Sequence, residues 1–236
     1  MRYVIDPRPR DTQSRGVEPG YDATELRWPS QSLYKRPLTQ SELTGPAGGE
    51  LRRRLPLIRG DLAGHGQKRA IGQLIHVRAR IVDEDGVPVA GAVVEVWHCN
   101  AAGKYIHPND SHDAPADPNF YGAARLVAGD TGLIELRTIK PGAYPVPDLI
   151  KRGARWWRPP HIHFSVWGRV WLSRLVTQMF FPGEPLNDVD PILNAIRDPE
   201  ARGRCIARLS TEGSENALVY EYQMVVRGRK ATPELA

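Results

Sequence analysis

The chain has 236 residues, 41% hydrophobic and 25% charged, a composition that suits a soluble globular protein with a sizeable core. Its net charge of +5 comes mostly from arginine, yet the one tight cluster, Arg52-Arg53-Arg54, has no aromatic neighbours, which argues against a nucleic-acid interface. The cluster reads as a solvated loop, and the basic surface also fits an anionic small substrate or an acidic partner subunit.

Residues 1–70 are rich in Pro, Gly, Arg and Ser and show little periodicity. They read as an extended arm, with Tyr21, Leu26, Trp28, Leu33 and Tyr34 available to pack on a core or a partner. The start of the chain has no apolar signal core, and no run approaches the ~18 apolar residues of a spanning helix. From residue 71 the pattern turns to strands. Residues 71–82 alternate, with Ile75, Val77, Ala79 and Ile81 on one face and His76, Arg78 and Arg80 on the other. Asp85-Gly86 marks a tight turn, and residues 92–98 form the next strand. The stretch 100–121 holds Gly, Pro, Asn, Asp and His but little core; an irregular loop of that length is usually functional. Strands are predicted over 133–139, 161–167, 174–181 and 218–226. Asp190-Pro191 and Asp198-Pro199 each pair an N-cap with proline at the first helical position, so short helices are expected there, ending near Arg197 and Leu209. Many strands with few helices imply a mainly β protein, a β-sandwich over residues 71–236. Cys99 and Cys205 stand far apart without Cys-x-x-Cys spacing, which excludes a zinc ribbon and fits reduced thiols in the cytoplasm.

Chemistry concentrates in Arg158-Pro159-Pro160-His161-Ile162-His163-Phe164. Residues two apart on a strand share a face, so His161 and His163 present two imidazoles together. Two readings stand: a pair of metal ligands, or two hydrogen-bonded histidines on a strand face. No Asp or Glu follows at the spacing of a facial triad. The polar groups near strand ends are tyrosines, Tyr105 after Gly103-Lys104 and Tyr144 after Pro141-Gly142-Ala143. Each alone could be a packed aromatic. Arg-Pro-Pro-His favours polyproline II, which has three residues per turn and would point Arg158 and His161 the same way.

Taken in order, Gly103-Lys104-Tyr105, Pro141-Gly142-Ala143-Tyr144-Pro145 and Trp157 to Phe164 resemble the intradiol aromatic-ring dioxygenases. Asp117-Pro118-Asn119-Phe120, Arg137 to Gly142 and Thr177-Gln178-Met179-Phe180-Phe181 resemble the β subunits of the branch that cleaves protocatechuate at the 3,4 bond. So do Ser41-Glu42-Leu43-Thr44-Gly45-Pro46 and Val226-Arg227-Gly228, so that the similarity covers nearly the whole chain. The resemblance implies an intradiol-type β-sandwich with a mononuclear non-haem Fe(III) held by Tyr105, Tyr144, His161 and His163, plus a hydroxide. Two phenolates and one hydroxide would balance the charge of the ion, which a low-dielectric site favours. It further implies O2-dependent cleavage of protocatechuate to 3-carboxy-cis,cis-muconate, in the β-ketoadipate route of aromatic breakdown. Tyr144 is then both a ligand and a base, Arg158 a catalytic cation near the ring, and Gln178 the residue that fixes Arg158. Tyr21 and Ile192 would line the substrate pocket, and an α subunit of the same fold would be the partner. Val146 stands where these β subunits commonly carry tryptophan, which leaves 4-sulfocatechol, catechol or hydroxyquinol as alternative substrates. A non-catalytic sandwich subunit would lack one or more of the four ligands, and all four are present.

Overall fold

A computed structural model describes residues 60–65, 68–146, 156–168, 174–212, 216–226 and 230–235. The predicted arm residues up to 59, Tyr21 among them, lie outside this set, as do Arg227 and Gly228. In chain order the strands are β1 (Gly64–His65), β2 (Lys68–Arg69), β3 (Leu74–Val82), β4 (Val93–Trp97), β5 (Ala123–Val127), β6 (Leu133–Ile139), β7 (Tyr144–Pro145) and β8 (Trp157–Arg158). There follow β9 (His161–Trp167), β10 (Arg174–Phe180), a 3-10 turn (Pro185–Asp188), α1 (Pro191–Asn194), α2 (Pro199–Gly203), β11 (Arg208–Leu209) and β12 (Leu218–Val225).

Two four-stranded sheets form the body. The first runs β10-β9-β4-β5 and the second β11-β12-β3-β6. All pairings are antiparallel except β12 with β3, which is parallel. Alternation drives the packing. Val94, Val96, Ile162, Phe164, Val166 and Met179 of the first sheet meet Ile75, Val77, Ala79, Ile81, Leu136 and Met224 of the second in one buried cluster. Leu62 and Ala63, from the stretch read as arm, belong to that cluster, and Asp61 bridges Arg137 at the β6 edge.

The predicted strands at 133–139 and 161–167 hold to the residue, and the others shift by one to three positions. The strand β5 was not predicted; its run Ala-Ala-Arg-Leu-Val has no clean alternation. Asp190 and Asp198 do cap helices, accepting from Ile192 N and from Glu200 N and Ala201 N, but both helices are a single turn and end earlier than expected. The polyproline reading of residues 158–161 covers the junction between two strands. Arg158 lies in β8, where it pairs with Tyr144 of β7, and His161 opens β9. Pro159 and Pro160 lie between the two strands and belong to neither.

Because β9 turns Ile162, Phe164 and Val166 into the core, His161, His163 and Ser165 take the opposite face. Register aligns Trp97, His163 and Gln178 across β4, β9 and β10, and sets His161 opposite Phe180. The functional side chains therefore occupy the outer face of the first sheet.

Candidate metal centre

Three features position the ring atoms. The first is β9 itself, with Trp97 stacked on His163 (centroids 4.8 Å apart, 9° between planes) and Phe180 stacked on His161 (5.6 Å, 28°). The second is Asn100, buried at the mouth of the long loop. Its side-chain oxygen accepts from Ala102 N and Lys104 N, and its amide donates to Pro115 O. Its backbone oxygen accepts from Gly103 N and Gly142 N, so one residue ties the turn before Tyr105 to the turn before Tyr144. The third is Asp110, which accepts from Tyr105 N at 2.7 Å and also faces the Lys104 ammonium.

The two tyrosine turns touch backbone to backbone, which only glycine permits. A Cβ on Gly142 would sit 2.3 Å from Ala101 O. Gly103 has φ +83, and a Cβ there would sit 2.5 Å from Ala143 O.

Four ring heteroatoms converge as a result. Tyr105 Oη lies 3.1 Å from His163 Nε2, Tyr144 Oη 3.3 Å from His161 Nε2, and the two Nε2 atoms are 3.2 Å apart. The tyrosine rings meet edge to face at 5.3 Å. His161 Nδ1 is 2.7 Å from Pro159 O, an atom that can only accept, so Nδ1 carries the proton and Nε2 offers a lone pair to the centre. Burial, followed by the charge of Arg158, pushes His161 well below the usual imidazole range, and the same causes bring His163 down to about 3. Both imidazoles are thus neutral at ordinary pH. Burial, then the neighbouring Tyr144, raises the Tyr105 hydroxyl well above its ordinary value, so only a cation at the centre would make it a phenolate. No group of three or more His, Cys, Asp or Glu that could hold a metal occurs among the described residues, and the groups that converge with the two histidines are the tyrosine hydroxyls. Two neutral nitrogens and two potential phenolates suit a hard trivalent ion such as Fe(III).

Beside this centre lies a clamped arginine. Arg158 is 2% exposed; its Nη2 donates to Gln178 Oε1 at 2.6 Å, and its Nε and Nη2 donate to Asp190 Oδ2 at 3.2 and 3.1 Å. Asp190 is fully buried, and its other oxygen accepts from Ile192 N at the start of α1. Ile192 packs against Val146 and Trp156 on one side and the cluster around Phe180 on the other. Val146 and Ile192 are therefore neighbours in one apolar wall.

Residues 49–228 match the Dioxygenase family. The chain belongs to the intradiol dioxygenases. It is 41% identical to the protocatechuate 3,4-dioxygenase beta chain of Burkholderia cepacia, over 98% of this chain and 97% of that one. It is 36% identical to a hydroxyquinol 1,2-dioxygenase of a Rhizobium strain, a match spanning 48% of this chain and 39% of the relative. Among solved structures, the hydroxyquinol 1,2-dioxygenase of Pseudomonas putida DLL-E4 aligns with a TM-score of 0.53 and 21% identity, over 91% of this chain and 72% of that one. The 3-chlorocatechol 1,2-dioxygenase of Rhodococcus opacus 1CP aligns with a TM-score of 0.54 and 22% identity, over 69% and 62%. At those identities the likeness is one of fold, and it agrees with the β-sandwich read from alternation.

The structure brings together seven of the residues that sequence singled out: Tyr105, Tyr144, Arg158, His161, His163, Gln178 and Ile192. Sequence reasoning missed the roles of Asn100 and Asp190. Asn100 follows a predicted strand at the head of the long loop, a position where Asn commonly bonds nearby backbone. Asp190 was visible as a helix cap, but a cap uses one carboxylate oxygen and says nothing of the other. Two of the four converging groups here are tyrosines, so among the described residues a search for His, Cys and acidic clusters does not find the site.

Proposed function

We propose that this chain is the catalytic β subunit of a cytoplasmic protocatechuate 3,4-dioxygenase, paired with an α subunit of the same fold. It takes 3,4-dihydroxybenzoate and O2 to 3-carboxy-cis,cis-muconate, a step in aromatic breakdown. The ring opens between the hydroxyl-bearing carbons, and both oxygen atoms of O2 enter the product, so the acid formed is the substrate plus one O2 with no other atom gained or lost. The observation that carries this reading is the convergence of Tyr105 and Tyr144 Oη with His161 and His163 Nε2 within 3.1–3.3 Å of one another. The near full-length likeness to a protocatechuate 3,4-dioxygenase beta chain supports the substrate.

Tyr105, Tyr144, His161 and His163 would hold a single Fe(III). Such an ion would supply a Lewis-acid site that a catecholate can chelate and that activates the bound ring towards O2. The protein supplies the rest. Tyr144 Oη takes a catechol proton as base, and Tyr105 stays in place because its backbone is tied by Asp110. Arg158, desolvated and clamped, opposes the negative charge that develops on the reacting ring. Gln178 and Asp190 hold the guanidinium, so little reorganisation remains for the reaction step. Val146 and Ile192 form an apolar wall of the pocket; the sequence resemblance would add Tyr21 as a further pocket residue, and Tyr21 lies outside the described residues. Residues 1–70 serve as the arm and residues 71–236 as the catalytic sandwich.

The test is the purified protein's metal and colour together with oxygen uptake. We expect close to one iron per chain, a broad visible tyrosinate band altered by Tyr105→Phe and by Tyr144→Phe, and O2 consumed one for one with protocatechuate. A colourless zinc protein, or a clear preference for plain catechol, would overturn the assignment. Val146, small and packed with Trp156, favours one second reading, a catechol bearing a different anionic group such as a sulfonate. Comparing kcat/KM for protocatechuate and 4-sulfocatechol separates the two.

A further inference from the structure

The strand β10 is an edge of the first sheet, and the stretch 231–235 closes it. Leu235 N donates to Val176 O at 3.0 Å, and Thr177 Oγ1 donates to Pro233 O at 2.7 Å. At its other end the stretch is clasped to β12 by Thr232, whose N donates to Val225 O and whose Oγ1 accepts from Val225 N, each at 3.0 Å. Ala231, Thr232 and Leu235 are essentially fully buried. The Leu235 side chain sits in a cluster with Phe180, Leu193 and Ile196, and that same Phe180 stacks on His161.

The consequence falls on Gln178. Its Nε2 donates to Leu235 O at 3.2 Å while its Oε1 accepts from Arg158 Nη2 at 2.6 Å. A side-chain amide has one accepting end and one donating end, and its side chain can rotate to exchange them. A guanidinium only donates and a backbone carbonyl only accepts, so one orientation alone satisfies both neighbours. Remove the carbonyl of Leu235 and nothing at that end forbids the reversed amide, which would turn an N–H towards Arg158.

We propose that residues 231–235 are a positioning element for the reaction, fixing the Gln178 amide so that it holds Arg158 at the reacting centre. The proposal rests on the assigned dioxygenase activity and adds to it a segment that touches neither metal nor substrate. It also accounts for the burial of the stretch on an edge strand, which exclusion of solvent alone would not tie to Gln178.

The test uses two isosteric variants that loosen the stretch from different ends, Thr177→Val and Thr232→Val, with Thr177→Ser and Thr232→Ser as rescues. Two positions are needed because the Thr177 hydroxyl also lies beside the Tyr222 hydroxyl and the Cys205 thiol. Hydrogen–deuterium exchange on the full protein reads release of the Leu235 amide. The Arg158 Nε–H resonance, taken in diamagnetic Ga(III)-loaded protein, reads the clamp without turnover. We expect both valine variants to speed exchange at Leu235, broaden the Arg158 resonance, and lower kcat about tenfold with KM within about twofold and the resting visible band unchanged. Both serine variants restore all three. Faster exchange with kcat and the Arg158 resonance unchanged overturns the proposal, and so does unchanged exchange in both valine variants, since the clasp would then hold nothing. A wild-type protein inactive on every catechol whose Arg158 resonance still responds would sink the assigned activity and leave this inference standing.

Discussion

The two sheets share one core but use their outer faces in opposite ways. On the first, register lines up Trp97, His163 and Gln178, and these lead to a buried Arg158–Asp190 pair whose side chains are 3% and 0% exposed. On the second, the same logic lines up Arg208, Glu221, Arg78 and Glu135 across β11, β12, β3 and β6, a row of alternating sign. Here the pairs are open to water, with side-chain exposures of 81% and 33% for Arg208–Glu221 and 42% and 67% for Arg78–Glu135. Desolvation makes the difference. A buried charge needs a partner in one geometry, and each partner must in turn be fixed, which is how Asp190 comes to cap α1 and Gln178 to reach Leu235. A solvated charge can exchange its partner for water, so its row tolerates change. The candidate site lies on the face where polar groups have no such freedom.

The largest expected effect breaks the buried pair. Asp190→Ala strands the Arg158 guanidinium without its carboxylate and uncaps α1, and should cost about 3–5 kcal/mol in urea unfolding. Adding Arg158→Met should recover much of that stability, because the uncompensated charge is gone, while activity stays lost. Failure of the second change to recover stability would show that Asp190 acts mainly as a cap.

Next comes a buried histidine that joins the sheets. His98 Nε2 meets Thr138 Oγ1 of β6 at 2.8 Å and its Nδ1 meets Cys99 O at 2.7 Å. Burial, only partly offset by the Cys99 carbonyl, lowers its pKa from 6.5 to about 4. The folded value lies below the unfolded one, so the unfolded chain takes up the proton first as pH falls. The stabilisation from His98 is complete above pH 6.5 and is lost progressively as pH drops from there towards 4. Unfolding free energies of wild type and His98→Gln, from denaturant titrations, should therefore converge by roughly 2–3 kcal/mol between pH 7 and pH 4.5. Parallel pH profiles would refute the assignment.

The same contrast explains what the amino-acid order made legible. Strand faces were readable because alternation is a one-dimensional signal: Ile75, Val77, Ala79 and Ile81 face inward as their spacing requires. The His161–His163 pair was readable for the same reason, whereas Tyr105 and Tyr144, each alone a plausible packed aromatic, joined it only through the family resemblance of their motifs. What escaped depends on contacts between residues distant in sequence. Asp190 reaches Arg158 across 32 positions, and Gln178 reaches Leu235 across 57. Neither pair leaves a local pattern, because a buried polar partner is chosen by the fold rather than by its neighbours.

The smallest expected effect tests the open row. Arg78 lies between Glu221 and Glu135, and its Nε is 3.4 Å from Glu135 Oε1. Arg78→Met leaves two carboxylates facing each other across β3, yet both remain hydrated, and Glu221 keeps Arg208, whose hydrogen bond holds its carboxyl below the ordinary carboxylate value. The change should therefore cost about 0–1 kcal/mol, less still in high salt, with turnover untouched. Thermal unfolding at low and high ionic strength measures both numbers. A loss above about 2 kcal/mol, insensitive to salt, would mean that the row behaves as a buried network and that something covers this face in the native protein.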